Sequence, residues 1–411
     1  MPSTYRHNHY VPVWYQKGFM PTGQSRYWRL DLSPEKVVSG NRRIPRNAVT
    51  NWSPKKIFAQ DDLYSTRWGE QINTEIEQFF FGEIDKLGRN AALFFRSFNG
   101  SEISEGAVQN LLTYMSVQKL RTPKGLAHIE TLTRNNDRTI TLLLMQRIRD
   151  LYCAVWTECI WQIVSGEQSP TKFIVSDHPV TVYNRACPPL SKSCRGSNDP
   201  DVRWHASHVF FPLSMDKALV LTNLSWARNP YQNEIRARPN PAYFRPSMFD
   251  FGKIQIDRML NENEVLQMNY VTKKRAWRYI AAAEKNWLYP ERYLENPIWK
   301  KLGDGWLFMP EPRLLNLGGQ IVVGYDNGRS EAFSEYGHRP WQSGYEDAQR
   351  HRIESESLLR FKAEWAMKFG REYVAHAHQF GRVRSGTDSD EMTERYAAIA
   401  QRYRGRNRSR R

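Results

Sequence analysis

Two short strings in the sequence combine side chains that can move protons with side chains that can hold an anion. The first, near the start of the chain, contains His9, Tyr10, Tyr15 and Lys17. An imidazole exchanges a proton near neutral pH, and a lysine ammonium binds an anionic oxygen. In the alternative interpretation, the aromatic rings anchor the start of the fold and His9 is hydrogen-bonded inside it.

The second string is Ser176, Asp177, His178 and Pro179, directly after the apolar run at residues 173–175. Polar residues at the end of a strand often face a ligand in α/β-type proteins. Asp177 could orient a histidine, bind a cation or accept a proton. Ser-Asp before Pro is equally typical of a turn, in which the carboxylate accepts hydrogen bonds from backbone N–H groups two residues on.

A third group lies at the end of a predicted helix, where Gln118 and Arg121 precede Pro123 and lie beside Lys119 and Lys124. Arg121 could pair with Asp177 or bind a phosphate through two hydrogen bonds. The helix dipole alone also favours basic residues at this end of a helix.

Better-known signatures are absent from the sequence, including the phosphate loop, the nucleophile elbow, HExxH and paired CxxC. The histidine pairs 205/208 and 376/378 have no nearby carboxylate pattern, so we predict no metal site and can name no cofactor. Four cysteines in 411 residues suggest a reducing, cytoplasmic compartment. No apolar stretch approaches the ~20 residues that cross a bilayer, so we expect no membrane partner.

The chain has a net charge of +16, and its excess of basic over acidic residues is confined to residues 1–68, residues 171–300 and the last eleven residues. A mobile arginine-rich tail is attracted to phosphate, with an affinity that falls steeply with salt. The alternative is a solubilising end with no dedicated partner. The candidate nucleic-acid-binding residues of the tail are Arg402, Arg404, Arg406, Arg408, Arg410 and Arg411.

The apolar patterns predict an α+β fold with a mixed small sheet, a largely helical middle section and an α-rich C-terminal extension. Residues 27–32 alternate like a strand, and residues 326–328 are typical of a turn. Helices are predicted over 69–98, 139–165 and 346–374, and another from Ser389. A helix from Asn261 to about Ala283 is also predicted, because Glu264 three residues after Asn261 resembles a capping box. We divide the chain into a core at 1–300, a module at 301–400 and a disordered tail at 401–411.

Taken together, the strings resemble the family called domain of unknown function 4238. Its members open with a stretch like HYVPxxYLxxF, to which residues 9–19 are similar. Residues 176–180 resemble its SDNPV string with His178 in place of Asn, and Gln118, Arg121 and Pro123 resemble its Q..R.P pattern. The resemblance spans about residues 7–284 and implies a shared α+β fold without an established activity.

The resemblance also implies that the polar residues of these strings meet in one place. The candidate catalytic residues are His9, Lys17, Arg121, Ser176 and Asp177, and the candidate substrate-binding residues are Tyr10, Tyr15, Gln118 and His178.

Two functions fit these residues and the basic charge. In the first, the protein is a phosphodiesterase or nuclease-type hydrolase, with His9 as general acid or base, Asp177 as its orienting partner or a metal ligand, and Lys17 with Arg121 holding the oxyanion. In the second, it is a non-catalytic nucleic-acid-binding or protein-interaction module that uses its basic surface and arginine tail. We favour association with nucleic acid, salt-sensitive and largely independent of sequence. The oligomeric state is left open.

Overall fold

The structure is a computed structural model, and it describes residues 7–39, 42–64, 66–68, 71–73, 81–100, 103, 105–134, 137–194, 197–232, 235–236, 254–315, 320–334, 338–369, 376–379 and 382–385. The arginines of the C-terminal tail and the helix predicted from Ser389 lie outside these ranges.

Helices and strands both contribute to the core, which confirms the predicted α+β class. The described helices are α1 (Val13–Lys17), α2 (Gly82–Arg96), α3 (Glu105–Leu120), α4 (Pro123–Thr133), α5 (Arg138–Thr157), α6 (Leu224–Arg228), α7 (Glu262–Arg275) and α8 (Ala348–Phe369). The described strands are β1 (His7–His9), β2 (Tyr27–Asp31), β3 (Lys36–Ser39), β4 (Arg42–Pro45), β5 (Val49–Trp52), β6 (Ala59–Asp61), β7 (Thr66–Trp68), β8 (Gln71–Asn73), β9 (Cys159–Ser165), β10 (Val175–Ser176), β11 (Thr181–Tyr183), β12 (His208–Pro212), β13 (Lys217–Asn223), β14 (Gln255–Met259), β15 (Tyr279–Ala282), β16 (Gln320–Gly324), β17 (Ser330–Ser334), β18 (His376–Gln379) and β19 (Arg382–Ser385).

Two sheets form the β part of the described core. The larger has seven strands in the order β11-β12-β13-β9-β14-β18-β19, in which β9 and β14 are parallel and the other neighbours antiparallel. The smaller has four antiparallel strands in the order β10-β15-β2-β5. One continuous apolar cluster joins these sheets to α2, α3 and α5, so the strands and the helical middle share a core.

The predicted element types are largely confirmed, and the differences lie at element ends. The helix expected over 139–165 ends at Thr157, and residues 159–165 form β9. All seven residues of β9 are buried, and its β-branched Ile160, Ile163 and Val164 favour an extended backbone between two sheet neighbours.

Two other predicted helices are also shorter than expected. Within the range predicted as helical at 69–98, residues 71–73 instead pair as a strand and Gly82–Arg96 is helical, while residues 74–80 lie outside the described ranges. The helix from Asn261 has the expected capping box with Glu264 but ends at Arg275, because residues 279–282 form β15 and pair with β2.

The segment after residue 300 packs against the rest of the chain through aromatic side chains. Phe308 belongs to the main core, and Trp365 on α8 shares a second cluster with Ile160 of β9. Phe361 of α8 stacks on Trp306 at 5.7 Å. This packing fixes α8 against the seven-stranded sheet and α6. The division of the chain into domains near residue 300 stays a prediction.

Two helical glycines provide a matched test of the contact between α2 and α3. A Cβ on Gly88 would lie 2.4 Å from the Tyr114 ring, whereas a Cβ on Gly106 would meet nothing within 4 Å. We expect Gly88→Ala to lower the free energy of unfolding by about 1 to 3 kcal/mol through overpacking. Gly106→Ala should raise it by up to about 1 kcal/mol through helix propensity. Urea denaturation followed by circular dichroism measures both, and equal effects would contradict the close α2–α3 packing.

Candidate functional site

The break between α3 and α4 brings polar side chains from two helices to one point. Pro123 lacks a backbone N–H and so starts a new helix, and Thr122 caps that helix by accepting a hydrogen bond from the Gly125 N–H at 3.1 Å. A Cβ on Gly125 would lie 2.3 Å from the Lys119 carbonyl oxygen, so only glycine fits this tight approach. The consequence is that Lys119 and Lys124, on either side of the break, line one space.

That space is a cavity of about 400 Å³, within the size range of small-molecule sites. We call it the Lys–His–Asp cavity. Its polar base carries Lys119, Lys124, His178 and Asp199, while His128 and the Asp201–Arg203 pair lie elsewhere in its lining. Its apolar and aromatic walls include Leu132, Ile148, Leu151, Tyr152, Pro200, Val202 and Trp204.

A single carboxylate, that of Asp199, holds the base of the cavity together. One of its oxygens accepts a hydrogen bond from Lys119 Nζ at 2.9 Å, and the other accepts one from Lys124 Nζ at 2.6 Å. Lys124 Nζ also donates to the Arg275 carbonyl at 2.7 Å, which ties α4 to the end of α7. Both lysine side chains are almost completely buried.

His178 lies beside this carboxylate and is held through both ring nitrogens. Nε2 is 3.1 Å from Asp199 Oδ2 and 3.1 Å from Lys119 Nζ, and Nδ1 is 2.7 Å from Thr122 Oγ1. Burial, reinforced by the Lys119 charge, lowers the pKa of His178 to about 3, so the ring is neutral at physiological pH.

The base of the cavity carries more positive charge than negative charge. Burial opposes ionisation of Asp199, but the Lys119 and Lys124 ammoniums outweigh it and hold the pKa of this carboxyl well below its usual range. Burial lowers the pKa of Lys124 to about 8, so this amine is largely protonated at pH 7. Two ammonium groups therefore face one carboxylate, and the surplus positive charge favours an anionic ligand.

The predicted Asp177 lies nearby in sequence but is enclosed by backbone. Its carboxylate accepts hydrogen bonds from the N–H groups of Trp277, Arg278 and Tyr279 at 2.8, 2.6 and 2.7 Å. Burial nevertheless raises the pKa of Asp177 to about 6. These contacts fix the start of β15 next to β10. Ser176 Oγ accepts a hydrogen bond from the His178 N–H at 3.1 Å, the bonding that is typical of a turn.

Gln118 of α3 and Arg121, just after the end of that helix, are buried and lie outside the lining of the Lys–His–Asp cavity. Arg121 is 1% exposed, pairs with Asp85 at 2.8 Å and donates to Gln118 Oε1 at 3.0 Å. Gln118 donates to the Tyr10 carbonyl at 2.8 Å. Tyr10 is also buried. Burial is the main cause that raises the pKa of the Tyr10 hydroxyl, and the charge of Asp177 is the second. These residues join the N-terminal string to α3.

The other residues of the first string are divided between the core and a groove. Tyr15 is buried, donates to the Pro212 carbonyl at 2.6 Å and stacks on Phe211. His9 Nε2 lies 3.1 Å from the Lys55 carbonyl. Lys17 is exposed and lines a second cavity, separate in its lining residues from the first. The structure thus brings His178 into one cavity and Lys17 into another, and whether either is catalytic stays a prediction.

The family model for "Protein of unknown function (DUF4238)" matches residues 7–286, about two thirds of the chain. The chain belongs to the DUF4238 family. This confirms the resemblance and assigns no activity. No curated protein and no solved structure matches the chain.

In this DUF4238 protein, sequence reasoning missed part of the Lys–His–Asp cavity. Lys119 and Lys124 flank a recognisable helix break, but the family pattern points to their neighbours Gln118 and Arg121. Asp199 lies in the string Asn198-Asp199-Pro200, which is indistinguishable from an ordinary turn. No three His, Cys, Asp or Glu side chains within the described ranges form a metal-binding group. None of the helices in those ranges is long and apolar enough to span a bilayer.

The structural weight of Asp199 can be measured with two matched variants. Asp199→Asn leaves two buried ammonium groups without their carboxylate, so we expect the free energy of unfolding to fall by about 3 to 5 kcal/mol. Asp201→Asn removes only a partly exposed pair with Arg203 and should cost about 1 kcal/mol or less. Urea denaturation at pH 7 compares them, and a small loss in Asp199→Asn would contradict the shared role of this carboxylate.

Proposed function

We propose that this protein associates with nucleic acid and that the Lys–His–Asp cavity receives a phosphate-bearing nucleotide unit. The observation that supports this most is the pair of buried lysines that share a single carboxylate at the base of the cavity. A phosphate group carries the charge that this base lacks.

The residues of the cavity walls favour a nucleotide over a bare inorganic anion as the ligand. Tyr152 and Trp204 are aromatic residues of the lining, and a nucleobase stacks on aromatic rings with little dependence on its identity. Leu151 and Val202 extend the apolar lining. A ligand with one flat apolar part and one anionic end matches both halves of the cavity.

Titration calorimetry with adenosine monophosphate tests the proposal, with adenosine as the uncharged comparison. We expect the wild-type protein to bind the monophosphate and Lys124→Met to bind it at least about 10-fold more weakly, because a charge-assisted hydrogen bond is lost. Lys300→Met, an exposed lysine outside the cavity, is the control and should bind like wild type. Equal affinity for monophosphate and adenosine would contradict the proposal.

Hydrolysis of a phosphodiester is the second candidate, because the His178 ring lines the cavity 3.1 Å from the Lys119 ammonium. With a pKa of about 3 the ring is a weak base, so catalysis requires that the negative charge of the bound phosphodiester raise this pKa. For this reaction His178 Nε2 would exchange Asp199 for a water molecule and take its proton. The water oxygen would bond to phosphorus, the bond to the leaving oxygen would break, and the proton would pass to that oxygen. Cleavage of an oligonucleotide by the wild type and its loss in His178→Asn would support catalysis. If the wild type binds the oligonucleotide without cleaving it, the result supports binding and contradicts catalysis.

A further inference from the structure

A second cavity lies around the end of α1, and its lining includes Lys17 of the first predicted string. Its volume is about 880 Å³, and it is bordered by α1, the turn between β12 and β13, and the segments at residues 20–25 and 53–55. We call it the α1 groove. Its charged lining residues are Lys17, Lys55, Arg96, Glu167, Asp216 and Lys217.

Positive charge dominates this groove. Within the described part of the chain, Lys17, Lys55, Arg96 and Lys217 form no ion pair. Asp216, one of the two acids in the lining, is already paired with Lys172 at 2.9 Å. Four cations therefore face one uncommitted carboxylate, that of Glu167, and a polyanion would be attracted.

The groove is built on a fixed backbone. The Met215 N–H donates to the Gly18 carbonyl at 2.9 Å, so the β12–β13 turn is attached to the end of α1. A Cβ on Gly18 would lie 3.2 Å from the Tyr15 carbonyl oxygen, which indicates how closely the backbone packs here. The Tyr15 hydroxyl in turn holds Pro212 at 2.6 Å. Cations presented on such a scaffold need little ordering of the chain to bind a ligand.

The uncharged lining residues indicate which part of a nucleic acid would bind. Thr22, Ser25 and Ser53 add hydroxyl groups, and hydroxyls with lysine and arginine are the side chains that contact phosphate and sugar. Among the residues that the structure describes, the lining contains no aromatic side chain on which a base could stack. This composition suits a sugar–phosphate backbone rather than base recognition.

We propose that the α1 groove binds the sugar–phosphate backbone of single-stranded nucleic acid, independently of sequence. A groove of this volume is on the scale of small-molecule sites, which matches a few nucleotides of one strand. The proposal rests on the proposed association with nucleic acid and concerns a different set of residues from the Lys–His–Asp cavity.

The test is fluorescence anisotropy of a labelled oligothymidylate with the full chain, at several salt concentrations. In Lys17→Gln/Lys55→Gln, the loss of two phosphate contacts should weaken binding about 25-fold at 0.1 M salt and reduce the salt slope by about 1.4. The matched control is Lys300→Gln/Lys301→Gln, which removes the same charge from exposed residues outside the groove and should change affinity only slightly.

Equal losses in the two double variants would overturn the groove as the binding site. A duplex of the same length that binds as tightly as the single strand would overturn the assignment to single strands. Titration of the groove variant with adenosine monophosphate separates the two proposals, because it should retain the wild-type affinity. If the wild type binds no monophosphate while the groove variant still loses oligonucleotide affinity, the cavity proposal fails and the groove proposal stands.

Discussion

The arrangement of the candidate site depends on one buried carboxylate. Asp199 accepts hydrogen bonds from Lys119 of α3 and Lys124 of α4 and lies 3.1 Å from the His178 ring. Burying this many charges is costly, and the cost is offset only where the groups pair closely. The loop that carries Asp199 must therefore lie against the α3–α4 break. Both lysine side chains must point into the space between this loop and the break. A surplus cation remains, and this surplus is what makes the cavity a candidate for an anion.

Asp177 and Asp199 illustrate how the partners of a buried acid determine its role. Asp177 is surrounded by three backbone N–H groups, which hold β15 in place and leave its carboxylate saturated. Asp199 is surrounded by side chains that line a cavity. Backbone donors cannot be rearranged without unfolding the strand, whereas lysine side chains can turn towards a ligand. This difference favours Asp199 over Asp177 as part of a binding site, although Asp177 lies in the more recognisable motif.

Local signals in the sequence predicted the elements well, and long-range contacts limited the rest. The Asn261–Glu264 capping box, the turn at residues 326–328 and the stop at Thr122-Pro123 all act within a few residues, so the sequence alone predicts them. β9 is a strand because it pairs with a sheet neighbour on each side. The helical pattern of the preceding residues continues into β9, so the sequence alone does not predict the strand. Asp199 was missed for the same reason: its partners lie 21 to 80 residues away in sequence.

The most direct test of the central claim is the number of protons taken up when an anion enters the Lys–His–Asp cavity. Because burial lowers the pKa of Lys124 to about 8, part of this amine is neutral at pH 8, and a bound phosphate should restore its proton. Calorimetric titration of adenosine monophosphate at pH 8, in two buffers of different ionisation enthalpy, measures this uptake. We predict up to about half a proton per ligand in the wild type, beyond the ligand's own titration, and loss of this contribution in Lys124→Met. The same proton count in both proteins would contradict the account.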